Sequence, residues 1–232
     1  MNVLITGHTS GLGLALTEKF SSKGYKVYGI SRTTNKLLSN KNQLNCDLSN
    51  PDEISKASNW VKNLKIDLII HSAGTNIIKR IESNEFKDYT TALNLHVLSI
   101  TQIFKGVLPY MKNNGGKLIL ISSIWSKIAA DGRGTYSMAK AALNAFARQV
   151  AIEYGNKSIY SVSLILGFIK TPLTQKTSKD PRIESAKQRV LNCTNSFLES
   201  DEAAEFIFTL SINSFRYLNG VSINFDGGVL SQ

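Results

Sequence analysis

The stretch Thr6-Gly7-His8-Thr9-Ser10-Gly11-Leu12-Gly13 decides the fold of this chain. It follows a short β-rich run, and it opens a segment whose apolar residues recur at helical spacing. These apolar residues are Leu12, Ala15, Leu16 and Phe20. Glycines let a chain turn sharply, and the first turn of a helix presents free N–H groups to an anion. The stretch therefore predicts a strand, a tight turn and a helix whose N-terminus suits an anion.

Short β-rich runs alternate with longer segments of helical spacing along the whole chain. The predicted strands are Asn2–Thr6, Lys26–Ser31, Gln43–Cys46, Ile66–His71, Lys117–Ser122, Ile159–Ile165 and Val221–Phe225. The predicted helices run from Leu12 to the glycine stop at Gly24, from Pro51 toward Leu64, and over about Glu85–Lys112, Thr135–Tyr154 and Asp201–Ile212. Parallel strands need crossover helices, so the pattern predicts a Rossmann-like α/β fold. We expect a doubly wound, mostly parallel seven-stranded sheet with helices on both faces, in a single domain over residues 1–232.

Composition excludes several classes of protein. A 42% apolar share with 19% charged residues is typical of a globular chain and too apolar for a disordered one. No apolar stretch approaches the roughly 18 residues that cross a bilayer, and no leader is recognisable, so we expect a cytoplasmic protein with no membrane partner. Two cysteines exclude a disulfide scaffold, and the three histidines lack metal-ligand spacing, so no metal is expected.

The net charge of +10 is compatible with a polyanionic partner. However, the longest basic run is Lys79-Arg80, and most lysines stand singly. This distribution is typical of solvated faces and not of a nucleic-acid-binding stripe. We therefore expect no nucleic-acid partner.

The position of the glycine loop favours dinucleotide binding over a purely structural turn. The glycines allow backbone N–H groups to approach a pyrophosphate, whose charge the helix N-terminus stabilises. Ligands bind parallel sheets at the carboxyl ends of the strands. The loops that should surround one site follow Thr6, Ser31, His71, Ser122 and Ile165.

The second strand ends in Ser31-Arg32, where an acidic residue would contact the ribose of NAD. Ser31 can donate a hydrogen bond to a 2′-phosphate, and the Arg32 guanidinium can pair with it. This end of the strand predicts NADP(H) in preference to NAD(H). The alternative is that Arg32 is a solvated loop residue.

Tyr136 and Lys140 stand four residues apart, on one face of a predicted helix, and Ser123 precedes the tyrosine by thirteen residues. The pKa of a phenol is about 10, so a phenol that transfers protons near neutral pH needs a neighbouring cation to lower that pKa. A charge about 5 Å away at an effective dielectric of about 20 contributes roughly 3 kcal/mol, which is enough to lower the pKa of a phenol toward neutrality. We therefore predict that Lys140 lowers the pKa of Tyr136. An ordinary surface pair is the alternative.

Jointly these motifs resemble the short-chain dehydrogenase/reductase family, in its compact single-domain branch. The resemblance spans nearly the whole chain and rests on the Thr6–Gly13 loop, Asp47, Ala73-Gly74, Asn94, Ser123, Tyr136, Lys140 and Asp226-Gly227-Gly228. It implies an oxidoreductase that transfers a hydride between a nicotinamide and a carbonyl or secondary alcohol. A catalytically silent dinucleotide-sensing or interaction protein on the same fold is the alternative.

The resemblance implies a catalytic set of Asn94, Ser123, Tyr136 and Lys140. Tyr136 would protonate the carbonyl oxygen, Ser123 would hydrogen-bond it, and Lys140 would hold the nicotinamide ribose. Asn94 would anchor a proton-relaying water, unless it is simply a polar helix residue. Ser122 competes with Ser123, and we choose Ser123 for its spacing to the tyrosine. The expected cofactor contacts are Gly7, Thr9, Ser10, Gly11, Leu12, Gly13, Ser31, Arg32, Asp47, Leu48, Ala73, Gly74, Tyr136, Lys140, Gly167, Ile169 and Thr171.

Two positions depart from the family pattern. His71-Ser72 stand where Asn-Asn is usual, and Leu166 stands before Gly167 where proline is usual. Both departures are expected to affect cofactor geometry. We expect His71 and His96 to be hydrogen-bonded core or rim residues.

The polar, irregular segment at about residues 171–199 is expected to be a substrate lid. Residues 170–189 carry six basic residues against two acidic ones, which is more typical of a solvated lid but is also compatible with an acidic or carrier-linked substrate. The candidates for an apolar wall, or for simple packing, are Trp125, Met138, Phe168 and Leu173. Small residues on the 135–154 helix, together with the resemblance, favour a homotetramer, and a homodimer next.

Overall fold

A computed structural model describes residues 1–177, 184–213 and 216–231, and its strands form one parallel sheet. The strands are β1 (Asn2–Thr6), β2 (Lys26–Ser31), β3 (Gln43–Asn45), β4 (Leu68–His71), β5 (Gly116–Ser123), β6 (Ile159–Leu166) and β7 (Ser222–Phe225). Their order is β3-β2-β1-β4-β5-β6-β7, so the winding direction changes between β1 and β4. The predicted doubly wound sheet is confirmed, and a crevice is expected where the order reverses.

Helices cover both faces of this sheet. They are α1 (Gly11–Ser22), α2 (Pro51–Val61), α3 (Phe86–Leu93), α4 (Ser99–Asn114), α5 (Gly134–Tyr154), α6 (Pro172–Thr177), α7 (Glu184–Thr194) and α8 (Ser200–Ile212). Leu4 packs in a cluster with buried residues of α2, α4 and α5, whereas its neighbour Ile5 packs with those of α1 and α8. Burial of both sheet faces is what parallel strands require. Within the described residues, no helix has both the length and the apolar character to cross a membrane.

Two predicted helix boundaries have the expected local causes. After α1, Gly24 adopts a φ of 77°, and Tyr25 N–H donates to the Phe20 carbonyl over 3.1 Å. This is the glycine stop that the sequence predicted. At the start of α2, the Asn50 side chain accepts from Asp52 N–H at 2.9 Å, next to a proline in the first helical position.

The predicted continuous helix over residues 85–112 is wrong in one respect. Between α3 and α4 the chain forms a π-helical turn over Asn94–Leu98, and Ser99 N–H donates to the Asn94 carbonyl. A π turn inserts one residue into a helix, so it changes the directions of side chains and carbonyls around it. This turn lies beside the crevice and decides which of its residues faces it.

The segment after β6 is less irregular than predicted, because it contains α6 and α7. Backbone hydrogen bonds join the two ends of this segment. Lys170 N–H donates to the Leu198 carbonyl at 2.9 Å, and Leu198 N–H donates to the Phe168 carbonyl at 3.0 Å. The basic side chains behind the acidic-substrate prediction include Lys176, Lys179 and Arg182. These three lie outside the side chains that the structure describes.

Candidate active site

A cleft of about 460 Å³ opens at the carboxyl ends of the central strands, a volume typical of ligand sites. The sequence-predicted site residues that line it are Gly7, Thr9, Ser10, Gly11, Leu12, Ser31, Arg32, Asp47, Leu48, Ala73, Gly74, Ser123, Tyr136, Lys140, Gly167, Ile169 and Thr171. Two predicted residues, Gly13 and Asn94, do not line it.

The glycine loop lies tightly against its surroundings. A Cβ at Gly7 would come within 2.9 Å of the Ala73 Cα, and one at Gly13 within 2.0 Å of the Gly7 carbonyl oxygen. Gly13 therefore serves close packing of α1 and not contact with a ligand. Ser10 makes no side-chain cap on α1, and the first turn of α1 carries no acid. The first-turn N–H groups beside the cleft thus fit the phosphates of a dinucleotide.

The edge of the cleft near β2 combines hydroxyls with a cation. The Ser31 and Thr9 hydroxyls are 2.8 Å apart, and Thr33 donates to Thr9 at 2.9 Å. Burial alone would raise the pKa of Asp47, but hydrogen bonds from Ser49 and the charge of Arg32 outweigh it and lower that pKa. An exposed guanidinium beside these hydroxyls fits a phosphate monoester.

His71 connects β1, β4 and the π turn. Its Nε2 lies 3.0 Å from the His96 carbonyl, which can only accept, so Nε2 carries the proton. Its Nδ1 therefore accepts from the Thr6 hydroxyl at 2.8 Å, and that hydroxyl accepts from Ala73 N–H at 3.1 Å. Burial, and then the charge of Lys140, lowers the pKa of His71 to about 3, so the ring stays neutral.

The structure brings Ser123, Tyr136 and Lys140 together. Ser123 ends β5, and its Oγ accepts from Trp125 N–H at 3.3 Å, which leaves its proton for the Tyr136 phenol that it hydrogen-bonds. Ser122, the competing serine, donates instead to the Lys140 carbonyl at 3.1 Å. The geometry therefore favours Ser123 as the partner of the tyrosine.

Burial controls the protonation of this site more than charge does. It raises the pKa of Tyr136, against smaller lowering effects of the Ser123 hydrogen bond and the Arg133 charge. The Lys140 ammonium lies 5.5 Å from the tyrosine ring centre and donates to the Ile121 carbonyl at 2.7 Å. Burial lowers the pKa of Lys140 itself to about 7. In this structure the charge that opposes burial at Tyr136 is that of Arg133, and burial outweighs it, so the expected effect of Lys140 on this pKa stays a prediction.

Asn94 does not join the other three predicted catalytic residues. Its amide donates to the Ser49 carbonyl at 2.9 Å. Two residues later, the buried His96 ring faces the cleft, edge-on to Tyr136 with 5.5 Å between ring centres. His96 Nε2 lies 3.0 Å from the Thr75 carbonyl. The π turn thus places His96, and not Asn94, beside the tyrosine.

Sequence reasoning also missed Arg133. Its side chain is only 2% exposed, Nη1 donates to Asn76 Oδ1, and the guanidinium lies over the Trp125 ring at 5.8 Å. The available signal was its position three residues before Tyr136, directly before the first residue of α5. Of the candidate wall residues, Trp125, Phe168 and Leu173 line a small cavity here. Met138 is instead exposed.

The profile of the short chain dehydrogenase family matches residues 1–182. This chain belongs to that family. A 3-oxoacyl-(acyl-carrier-protein) reductase of Buchnera aphidicola subsp. Baizongia pistaciae is 30% identical over 237 residues, which cover 97% of this chain and 96% of the relative. The resemblance seen in the sequence is confirmed, and the chain is an NAD(P)(H)-dependent oxidoreductase that transfers a hydride.

Solved structures share the fold over the whole chain. A putative NAD(P) dependent gluconate 5-dehydrogenase from Beutenbergia cavernae, with bound NADP, has a TM-score of 0.90 at 17% identity, covering 100% of this short-chain dehydrogenase and 97% of that chain. A 4-hydroxyisoleucine dehydrogenase complexed with NADH has a TM-score of 0.87 at 20% identity, with coverage of 100% and 99%. At these identities the likeness concerns the fold.

The buried Lys140 predicts a pH-dependent stability. Its pKa is about 7 in the folded chain against an ordinary 10.5, so between these values the unfolded chain binds more protons. We expect the free energy of unfolding, measured with urea and without nucleotide, to rise through this window by roughly 1 kcal/mol per pH unit. Lys140→Met should lose this rise, whereas Lys105→Met, at an exposed lysine of α4, should keep it. Equal slopes in wild type and Lys140→Met would contradict the burial of an ionisable amine.

Proposed function

We propose that this short-chain dehydrogenase is an NADP(H)-dependent carbonyl reductase or alcohol dehydrogenase. Its chemical residues are Ser123, Tyr136 and Lys140. The observation that carries the proposal is the partly buried phenol of Tyr136, which Ser123 hydrogen-bonds in the same cleft as the glycine loop. A phenol and a hydroxyl placed together can both address one carbonyl oxygen.

The residues of the chain account for the proton, and a bound nicotinamide nucleotide supplies or accepts the hydride. The Ser123 hydroxyl donates a hydrogen bond to the substrate oxygen, and the Tyr136 phenol donates the proton that converts it to a hydroxyl. Because burial raises the pKa of Tyr136, the phenol keeps its proton at neutral pH. This protonation state favours the reductive direction.

Lys140 has a double role in this proposal. It holds the nicotinamide ribose through its amine, and a pKa of about 7 lets it release and regain a proton near neutrality. The water-anchoring role of Asn94 stays a prediction outside this set, since its amide donates to the Ser49 carbonyl and the residue does not line the cleft.

Replacing the phenol tests the catalytic assignment. Tyr136→Phe should lower the rate of NADPH oxidation with reducible carbonyl compounds by about a hundred- to ten-thousand-fold, because a proton donor is removed. The fold and NADPH binding should remain, as followed by thermal unfolding and nucleotide fluorescence. A panel of aldehydes, ketones and oxo acids supplies the substrate.

Two results would reject this assignment. Equal turnover by Tyr136→Phe would remove the phenol from the mechanism. NADPH binding by the wild type without oxidation on any carbonyl of the panel would favour the silent, dinucleotide-sensing alternative.

The preference for NADP(H) is supported by the edge of the cleft at Ser31 and Arg32. No carboxylate ends β2 to repel a 2′-phosphate, and the charge of Arg32 acts on that edge, where it lowers the pKa of Asp47 against the effect of burial. The Beutenbergia cavernae protein was solved with NADP and the 4-hydroxyisoleucine dehydrogenase with NADH, so the fold accommodates both.

Arg32→Ala should therefore weaken NADPH binding by about ten- to hundred-fold while NADH binding changes little, since a charge-assisted hydrogen bond contributes about 1.5–3 kcal/mol. Lys36→Ala, at an exposed cation of the same loop, is the matched control and should alter neither. Titration of nucleotide fluorescence measures both constants. Wild-type protein that binds NADH as tightly as NADPH would defeat the preference.

The substrate is proposed to be a small carbonyl compound or secondary alcohol, either acidic or linked to a carrier. The Buchnera relative is named for an acyl-carrier-protein substrate, which supports a substrate linked to a carrier. The basic composition of residues 170–189 supports an anionic partner in general. Within the described residues the two cysteines form no disulfide, as expected in the cytoplasm, where we propose the enzyme acts.

A homotetramer, or failing that a homodimer, is proposed to form through α5. Its outer face carries a row of exposed small and apolar residues at helical spacing: Met138, Ala141, Ala145 and Ile152. Met138 is 51% and Ile152 85% exposed, and a row of exposed apolar side chains is typical of a surface that contacts another protein chain.

Ala145→Arg should break this assembly, because it places a large charge in the middle of the row. We expect light scattering to give the mass of four chains, or of two, for the wild type and of a smaller species for the variant. Ser55→Arg, on the exposed face of α2, should leave the mass unchanged. A single-chain mass for the wild type at micromolar concentration would refute the assembly.

A further inference from the structure

A second cavity, of about 60 Å³, adjoins the tyrosine and the serine of the proposed catalytic set. It has room for a small polar group with a few neighbouring atoms. Ser123 and Tyr136 belong to its lining, so a substrate group bound here lies only a short chain away from a carbonyl oxygen held by these two residues. The remaining wall is mostly apolar and contains Trp125, Phe168 and Leu173.

One permanent cation lines this cavity. Arg133 is 2% exposed, and a guanidinium remains protonated at every physiological pH. Asn76 accepts a hydrogen bond from Nη1, and the Trp125 ring lies under the guanidinium at 5.8 Å. These two neighbours fix the orientation of the planar group. The charge of Arg133 also acts on Tyr136, because it lowers the pKa of the phenol against the larger effect of burial.

We propose that Arg133 binds a carboxylate of the substrate, and that the natural substrate is therefore a short oxo acid or the corresponding hydroxy acid. This inference rests on the proposed function, because it assumes a carbonyl oxygen at Ser123 and Tyr136. A guanidinium matches the planar geometry of a carboxylate and can bind both oxygens. The small volume selects a short substrate, and its apolar wall suits the carbon chain between the two groups.

Burial makes the charge of Arg133 effective in selection. An ion pair away from water is weakened little by the solvent, so the attraction for a carboxylate is stronger than at a surface arginine. A methyl ester of the same acid has the same carbonyl and nearly the same shape without the charge. Sites built around a buried polar group reject analogues that lack its partner.

The first experiment compares short α-, β- and γ-oxo acids with their methyl esters, using wild-type enzyme and NADPH. We expect at least one acid to exceed its ester by about thirty-fold or more in kcat/KM, mainly through KM, as for a desolvated charge pair. Esters reduced as well as or better than all the acids would overturn the inference while leaving the carbonyl reductase intact.

The second experiment changes the cation. Arg133→Gln should remove most of the preference for the acid through KM, and Arg133→Lys should retain part of it, because a lysine keeps the charge without the fork geometry. Arg80→Gln, at an exposed arginine paired with Asp131, should keep the wild-type preference. A merely structural role of Arg133 would instead lower turnover of acid and ester equally.

A binding measurement covers the case in which Arg133→Gln does not fold or the reaction is not found. The thermal midpoint of Tyr136→Phe with saturating NADPH should rise with an oxo acid and not with its ester. Absence of any such rise for the whole series would reject the carboxylate site. A rise with the acid alone, without turnover by the wild type, would support the site and reject only the proposed reaction.

Discussion

The imidazole of His71 holds together three of the parts of the chain that border the cleft. It ends β4, it accepts from Thr6 at the end of β1, and it donates to the His96 carbonyl in the π turn. With a pKa of about 3 it remains neutral, so its two nitrogens keep different roles and both hydrogen bonds keep their direction. The Thr6 hydroxyl also receives Ala73 N–H, which fixes the turn after β4 against the glycine loop. The family pattern has an asparagine at this position, and in this chain the histidine makes these two connections.

Burial sets the charges that a substrate meets in this enzyme. It lowers the pKa of Lys140 and raises that of Tyr136, so both groups shift toward their neutral forms. The guanidinium of Arg133 cannot respond in this way, and it remains charged although it is almost fully buried. At neutral pH the positive potential beside the reacting atoms therefore depends more on the arginine than on the lysine. The family pattern identifies the lysine but gives no information about this arginine.

The parts predicted correctly from the sequence depend on local signals. Glycines at a strand-to-helix turn and alternating periodicities predict the sheet, and Ser123, Tyr136 and Lys140 meet because a strand end and one helix face carry them. The direction of the Asn94 side chain could not be predicted, because a single inserted residue in a π turn leaves no trace in a helix-forming sequence. Arg133 was missed because charged residues are usually exposed. Its burial depends on Asn76 and Trp125, which only the tertiary structure brings near.

Burial raises the pKa of Tyr136 and the charge of Arg133 lowers it, and this opposition affects the reversibility of the reaction. A phenol whose pKa is raised above its ordinary value donates a proton to an alkoxide readily, but it ionises less often and so takes one back from an alcohol less readily. A fixed cation nearby stabilises the phenolate and reduces that asymmetry. Burying a guanidinium costs folding free energy, which the Asn76 hydrogen bond and the Trp125 contact offset in part. In this position the same charge is available to an anionic substrate and, before one binds, partly opposes the effect of burial on the phenol.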